Sequence, residues 1–320
     1  MQNKNCQKCS YGYDSKIGAF CQTCIAQRDS VQLPPMSSQA LKLISLNIEK
    51  EKHIPLVLEF LKKEKPDVVC LQEIFEETFE LFKEELGIHG VFCEETFIET
   101  DDGIKHREGV AILSPFPIVH SSTFSYKGDE VLETSARPAT ISATDQKDKS
   151  WVNKYNAKKL LVADLEVDDT KWRCATTHFT WGYYGRMNRV TKKFTWDILE
   201  ENVENQMRDL ERLLRILHTL GELVFTVDLN APRGQKIFDT LATHLKDNIP
   251  AHYTTSIDAS MHHIGPLPLM VDGLFTTPDY EASDVVLKSD VSDHYAVVAN
   301  IEQVPIGNKE HIKSSILNAV

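Results

Sequence analysis

Residues 223–230 read LVFTVDLN: five apolar or β-branched positions in a row, then an acid and an amide two residues apart. A short apolar run of this type is a strand packed on both faces, ending where Asp228 and Asn230 begin. Before it, Val203, Met207, Leu210, Leu214 and Leu217 recur as one helical stripe, which predicts a long helix laid against that strand. The reading then spreads in both directions. Leu41–Leu46 alternates as a strand, Pro66–Leu71 is a short buried one, and Gly109–Leu113, Leu160–Val167 and Trp172–Thr177 add three more. The Leu160 and Trp172 strands are predicted to form a hairpin through Asp168–Thr170, while Val271–Thr276 and Tyr295–Ile301 close the set. Ile54, Val57, Leu58 and Leu61 mark a helix with Pro55 in its first turn, and Phe75–Leu86 a second. Buried and alternating strands mixed with amphipathic helices point to sheets packed face to face with helices outside.

The composition allows that architecture. Of 320 residues, 42% are hydrophobic and 26% charged, enough apolar surface for a core and too little charge for a disordered chain. Every apolar run falls short of the ~20 residues a membrane-crossing helix needs. Met1–Asn5 is polar with no visible export signal, so a cytoplasmic protein is expected. Lys and Arg number 35 against 47 Asp and Glu, a formal charge of −12. That balance excludes a protein that coats long duplex through a basic face, but not an enzyme that engages one phosphodiester through a metal ion.

Four of the seven cysteines fall in the first 24 residues, as Cys6-x2-Cys9 and Cys21-x2-Cys24. Two such pairs supply four thiolates for a tetrahedral Zn2+, which a segment too short for its own core needs to hold it together. Paired disulfides are disfavoured without an export signal. Residues 1–29 are therefore expected to be a zinc ribbon-like module. Residues 30–40, rich in proline and serine, form the expected linker. A main domain over 41–303 and a polar tail over 304–320 follow. Four Lys or Arg and two Asp in residues 1–40, set beside four thiolates and one Zn2+, leave the module near neutrality. It suits a protein partner or a stabilising role better than a nucleic-acid clamp.

Polar residues stand at one end of many apolar runs: Asn47, Glu73, His178, Asp228 with Asn230, Asp272, and Asp293 with His294. Singly, an Asp or Asn at a strand end is usually a turn cap, and a lone His is usually structural. Jointly they supply hard oxygen ligands and two imidazoles, the inventory for metal-assisted attack of water on phosphate.

In these motifs, SLN at 45–47, LQE at 71–73, THF at 177–179, DLN at 228–230, VDGLF at 271–275 and SDH at 292–294, the sequence resembles the endonuclease/exonuclease/phosphatase superfamily, the DNase I-like fold. The resemblance implies an α+β, four-layered αββα sandwich with its active site at one end of two sheets. It implies Glu73 as principal ligand of Mg2+ (or Mn2+), with Asn47 and Asp293 completing the metal site. Asp228 would orient or deprotonate the attacking water, and Asn230 would hold a phosphate oxygen. His294, polarised by Asp272, would form a dyad, and His178 would donate to a non-bridging oxygen. Val227 stands where the family usually has glycine.

The loops bear on the substrate. Trp181, Tyr183 and Tyr184 lead into Arg186, Arg189, Lys192 and Lys193. This stretch reads either as a base-stacking and phosphate-neutralising surface or as a glycine-hinged loop with an aromatic mini-core and a solvated basic helix start. Arg137 lies where the resemblance places an arginine near the phosphate, and its alternative is a surface ion pair. Lys147–Lys159 reads as an inserted, solvated excursion. Trp181, Tyr183, Arg186 and Arg137 are the candidate substrate contacts. The leading expectation is a phosphodiesterase acting on nucleic-acid ends, lesions or single strands. The runner-up is a phosphatase or phosphodiesterase on a small or lipid-linked phosphate, such as inositol phosphate or sphingomyelin. A catalytically dead zinc-ribbon adaptor is disfavoured because every expected acidic and histidine position is filled.

Overall fold

The computed structural model describes residues 13–14, 19–20, 40–99, 103–127, 157–187, 194–198, 200–263 and 265–304; within these, 13–14, 19–20, 183–187, 194–198 and Glu201 are described by backbone alone. The chain divides into two units, Met1–Met36 and Ser37–Val320. In the first, β1 (Tyr13–Asp14) and β2 (Ala19–Phe20) pair antiparallel. Cys6, Cys9, Cys21 and Cys24, and with them the expected zinc site, lie outside the described residues.

The second unit holds two six-stranded mixed sheets. One contains β3 (Leu41–Asn47), β4 (Val68–Phe75), β5 (His89–Glu99), β6 (Lys105–Ser114), β15 (Tyr280–Lys288) and β16 (Ala296–Gln303), in the order β15-β16-β3-β4-β6-β5. The other contains β7 (Ile118–Lys127), β8 (Lys158–Val167), β9 (Thr170–His178), β12 (Val224–Asp228), β13 (Lys246–Asp247) and β14 (Asp272–Thr276), in the order β13-β14-β12-β9-β8-β7. A separate hairpin joins β10 (Tyr183–Met187) to β11 (Phe194–Ile198). Among the described residues four helices accompany the sheets: α1 (Ile54–Glu64), α2 (Glu76–Leu86), α3 (Glu200–Leu220) and α4 (Lys236–Ala242). Among the described residues no helix is long and apolar enough to cross a membrane.

Period-two alternation explains the layers. In β3, Leu41 and Leu43 enter the core between the sheets, whereas Ile44 and Leu46 enter the core beneath α1 and α2. In β9, Trp172 and Cys174 face the inter-sheet core and Ala175 faces the side where α3 and α4 pack. Three separate apolar clusters result: one between the sheets and one under each helical layer. The order helix, sheet, sheet, helix is the αββα sandwich. Val227 follows from it, because its side chain points outward and is fully buried with Leu210, Phe238 and Phe275, where glycine would leave a gap.

Helix ends follow local chemistry. Pro55 sits in the first turn of α1, Glu76 and Glu77 open α2, and Gly87, at φ 65°, ends it in the left-handed conformation. Strands β5, β7, β15 and the β10–β11 hairpin were not anticipated from sequence. One reading is corrected. The end of the expected solvated excursion, Lys158–Lys159, is the start of β8, with Lys158 buried and 3.2 Å from Glu95. The segment after Trp181, open between a binding surface and a glycine-hinged loop, carries the β10–β11 hairpin.

Two bulges meet at Gly109. Strand β4 slips register between Leu71 and Ile74, strand β5 between Glu94 and Thr96, and Gly109 of β6 lies opposite both. A Cβ at Gly109 would fall 1.9 Å from the Cys93 carbonyl oxygen, a backbone atom that cannot move aside. Gly109→Ala is therefore expected to destabilise the fold by at least ~1–3 kcal/mol, read as a lower urea midpoint with an unchanged slope. An unchanged midpoint would show that the strands separate there without cost.

Candidate active site

The same alternation that builds the inter-sheet core delivers polar groups to its end. Beyond Leu41 and Leu43 on the inner face come Ser45 and Asn47; beyond Trp172 and Cys174 come Thr176 and His178; beyond Val224 come Thr226 and Asp228. Strand register then sets His178, Asp228 and Asp272 side by side on β9, β12 and β14. A polar rung underlies them. Gln72 donates to Ser45 Oγ (3.2 Å) and Thr176 Oγ1 (2.9 Å), and Thr226 donates to Thr176 (3.0 Å), tying the two sheets together below the site.

Glu73 reaches the site by a different route. Simple alternation from Val69 and Leu71 would aim it at the helical layer. The β4 bulge inserts an extra residue, and Glu73 adopts φ 50°, so its carboxylate turns toward the second sheet. There Asn47 Nδ2 donates to Glu73 Oε1 (3.3 Å) and to Asp228 Oδ2 (2.9 Å), joining carboxylates from opposite sheets. His178 Nε2 lies 3.7 Å from both Glu73 Oε1 and Asp228 Oδ2. Burial opposes ionisation of Glu73, but Lys50 and His178 hold its carboxyl well below the usual range. The Lys50 ammonium bonds Glu73 Oε2 directly and stands 3.9 Å from Glu108 Oε1.

The histidines have opposite characters. His294 Nδ1 is 2.7 Å from Asp272 Oδ2 and its Nε2 is 3.9 Å from Asp228 Oδ2. Burial disfavours the charged ring, but Asp272 and Asp228 outweigh it and hold its pKa well above the ordinary value. His178 is pushed down to about 4, first by burial and then by Lys158, and is neutral at pH 7. Asn230 Nδ2 donates both to the Phe179 carbonyl (3.1 Å) and toward His178 Nε2 (2.8 Å). The carbonyl fixes the amide orientation, so His178 Nε2 is the acceptor and its proton resides on Nδ1. Asn230, at φ 49°, also donates its backbone N–H to Asp228 Oδ1 (2.9 Å).

Asp293 joins a group the sequence did not disclose. Ligand atoms of Glu49, His53 and Asp293 lie within 4.8 Å of one another. Glu49 and Lys50 have consecutive left-handed φ values of 47° and 66°, and Asn47 Oδ1 caps the turn by accepting from Glu49 N–H (3.1 Å). Burial, Glu49 and Glu73 push Asp293 up to about 6 against the opposing charge of His294. A second missed group, Glu95, Glu108, Lys158 and Lys50, extends from the flank of Glu73. Glu108 is pushed up to about 7 by burial, and its Oε2 is buried with no hydrogen-bond partner.

Asn47, Glu73, His178, Asp228, Asn230, Asp272 and His294 thus meet at one end of the sandwich, with Asp293 on the side of Glu49 and His53. Trp181 is half-buried at the start of the segment leading into β10, while the side chains of Tyr183 and Arg186 and the whole of Arg137 lie outside the described residues. Phe179 is not available for stacking on a base, because it is fully buried against Tyr126 at 5.6 Å between ring centres. The donor set suits a divalent metal. Carboxylates of Glu49, Glu73, Asp228 and Asp293 offer hard oxygen ligands at this end of the sandwich.

The profile of the Endonuclease/Exonuclease/phosphatase family matches residues 44–294. No curated protein matches the chain. Among solved structures, an endonuclease/exonuclease/phosphatase from Beutenbergia cavernae is 16% identical, with a TM-score of 0.59 over 83% of this chain and 72% of that one. The human Nocturnin catalytic domain with bound sulfate is 15% identical, with a TM-score of 0.56 over 84% and 97%. A mannosyl-6-phosphatase of Bacteroides thetaiotaomicron is 14% identical, with a TM-score of 0.53 over 82% and 99%. These likenesses are of fold.

Proposed function

The chain belongs to the endonuclease/exonuclease/phosphatase family of metal-dependent phosphoric ester hydrolases, and we propose that within it the protein is a Mg2+-dependent phosphodiesterase acting on nucleic-acid ends, lesions or single strands. The observation that carries the hydrolytic chemistry is the junction at Asn47, whose amide binds Glu73 of one sheet and Asp228 of the other. Glu73 and Asn47, with Asp293 and Glu49 beside them, would hold the divalent ion. When bound, it would supply Lewis-acid polarisation of a phosphoryl oxygen.

The protein's own groups divide the remaining work. Asp228 sits between Asn47 and His294, where its carboxylate can orient a water and accept its proton. His294, kept protonated by Asp272, donates toward the oxygen that gains charge. Asn230, held by the Phe179 carbonyl, would turn its second amide hydrogen from His178 Nε2 to a phosphate oxygen. An incoming phosphate would favour the charged form of His178, whose Nε2, once released by Asn230, would donate beside it.

The nucleic-acid substrate is supported by the exposed part of Trp181 and the cations that follow it in sequence. The net charge of −12 confines the contact to a short stretch rather than long duplex. The same acidity favours a small or lipid-linked phosphate as the second reading. A panel of single-stranded, duplex and frayed oligonucleotides, sugar phosphates, phosphoinositides and sphingomyelin, with Mg2+, Mn2+ or EDTA, separates the two. Cleavage of single-stranded oligonucleotides that EDTA abolishes is the expected result. Turnover confined to sugar or lipid phosphates would replace it with the second reading. On a cleaved oligonucleotide, Trp181→Ala is expected to raise KM about 5–100-fold with little change in kcat, the loss of one base stack.

The zinc-binding module at Cys6, Cys9, Cys21 and Cys24 and its role in docking a protein partner belong to the same proposal. Zinc content of the purified chain, compared with Cys21→Ser, tests it: about one equivalent lost on substitution supports the module, and none in the parent chain removes it.

A further inference from the structure

Lys50 occupies an unusual position for an ammonium in a cation-binding site. Its backbone lies in the left-handed turn after β3, and its N–H donates to the Glu73 carbonyl (2.9 Å), which folds the residue back over Glu73. Its Nζ bonds Glu73 Oε2, the carboxylate most central to metal binding, and is 3.9 Å from Glu108 Oε1. Glu108 comes from β6, the neighbour of β4, just beyond the bulge that aims Glu73. Its other oxygen, Oε2, is buried without a hydrogen-bond partner, in a side chain only 9% exposed. Fold stability alone does not account for a carboxylate kept in that state, because an unpaired buried acceptor is unfavourable. It makes sense as a place for a charge to arrive.

We propose that Lys50 is the built-in counter-cation of the metal centre: it neutralises Glu73 while no divalent ion is bound and transfers to Glu108 when one binds. The inference rests on the reading of Glu73 as a metal ligand. An ammonium and a divalent ion on one carboxylate repel each other, so uptake at Glu73 requires the ammonium to leave. Glu108 lies within the swing of the same side chain, and its unpartnered oxygen accepts the proton-bearing nitrogen without net change in charge. No bond is made or broken apart from hydrogen bonds. The metal-free centre is thereby kept from the repulsion of its own carboxylates, and metal affinity is set by exchange between two cations.

Mn2+ binding to the full chain, followed by electron paramagnetic resonance, tests this in a double-mutant cycle. Lys50→Met is expected to bind Mn2+ at least ~10-fold tighter, because a unit charge a few ångströms away no longer competes. Glu108→Gln is expected to bind several-fold more weakly, since the displaced ammonium has lost its second seat. In the Lys50→Met background the Glu108→Gln change is expected to have little further effect. Plain long-range electrostatics would instead make the two effects additive. Additive effects, or an unchanged affinity in Lys50→Met, would overturn the exchange. Should Lys50→Met fail to fold, reductive 13C-methylation of the parent chain reads the same event, with the Lys50 signal assigned through Lys50→Arg. Mg2+ is expected to move that signal, and Glu108→Gln to change its final position; a signal indifferent to Mg2+ overturns the proposal. A parent chain that binds no Mn2+ would defeat the metal-centre reading itself, whereas Mn2+ binding with additive variants would defeat only the exchange.

Discussion

Glu73→Gln is expected to lower phosphoester turnover at least ~10^3-fold while leaving the chain folded, because it removes several kcal/mol of charge stabilisation at the metal. The substitution keeps the shape of the side chain and exchanges one charged oxygen for an amide. Its steric consequence at the β4 bulge is therefore small, and the φ of 50° at this residue is retained. What disappears is a full negative charge beside Asn47 and His178, together with one of the two oxygens that accept from Asn47 and Lys50. Glu73 is held ionised in spite of burial, so the parent carboxylate is charged across the working pH range and the loss is present at every pH tested. Circular dichroism and a thermal midpoint serve as controls, and Mn2+ affinity should fall with the rate. Turnover within about threefold of the parent would mean that the metal is held elsewhere.

Asp272→Asn is the second substitution with a large expected effect, about 10^3–10^4-fold in kcat, by analogy with other Asp–His pairs in which the carboxylate fixes the tautomer and supports the charged ring. The Asp272 carboxylate is buried and 2.7 Å from His294 Nδ1, and its backbone N–H is held by Ser256 Oγ at 3.1 Å. An amide there removes one of the two carboxylates that keep His294 protonated, so the ring pKa falls toward that of a buried, neutral histidine. The alkaline limb of the rate profile should move to lower pH. Stability gives an independent check. A histidine whose folded pKa is raised contributes stability that is fully present below its unfolded value near ~6.5 and is lost as pH rises through the folded value. The midpoint gap between parent and Asp272→Asn should therefore be widest in mild acid and narrow toward alkaline pH. A gap constant across pH would show that the pair does not hold a proton.

The parts of this site legible in the sequence are those that obey alternation. Asn47, His178 and Asp228 each continue the inward parity of a strand whose apolar residues are already visible, and Asp272 opens the strand that pairs with Asp228. Glu73 was legible as a residue type at a strand end but not as a direction, because its orientation depends on a bulge whose partner, Gly109, is 36 residues away. Glu49, Lys50 and His53 were missed for a related reason. Two consecutive left-handed residues break the period, and nothing in a run of alternating charges announces them. Glu95, Glu108 and Lys158 required knowledge that β5 and β8, in different sheets, face each other. In the fold, the core strands and long helices were readable from apolar spacing. Edge strands β7 and β15 were not, since their exposed faces are polar and their pattern is diluted.

The Gln72–Thr176–Thr226 rung and the Asn47 junction above it mean that neither sheet owns the reaction centre. A chain with only the first sheet assembled would carry the proposed metal ligands Asn47, Glu49, Glu73 and Asp293 but not His178, Asp228 or Asp272, so hydrolytic competence would require both sheets rather than either fragment. Hydrolysis, rather than metal retention, would then be the gauge of whether the two halves of the sandwich have closed upon each other.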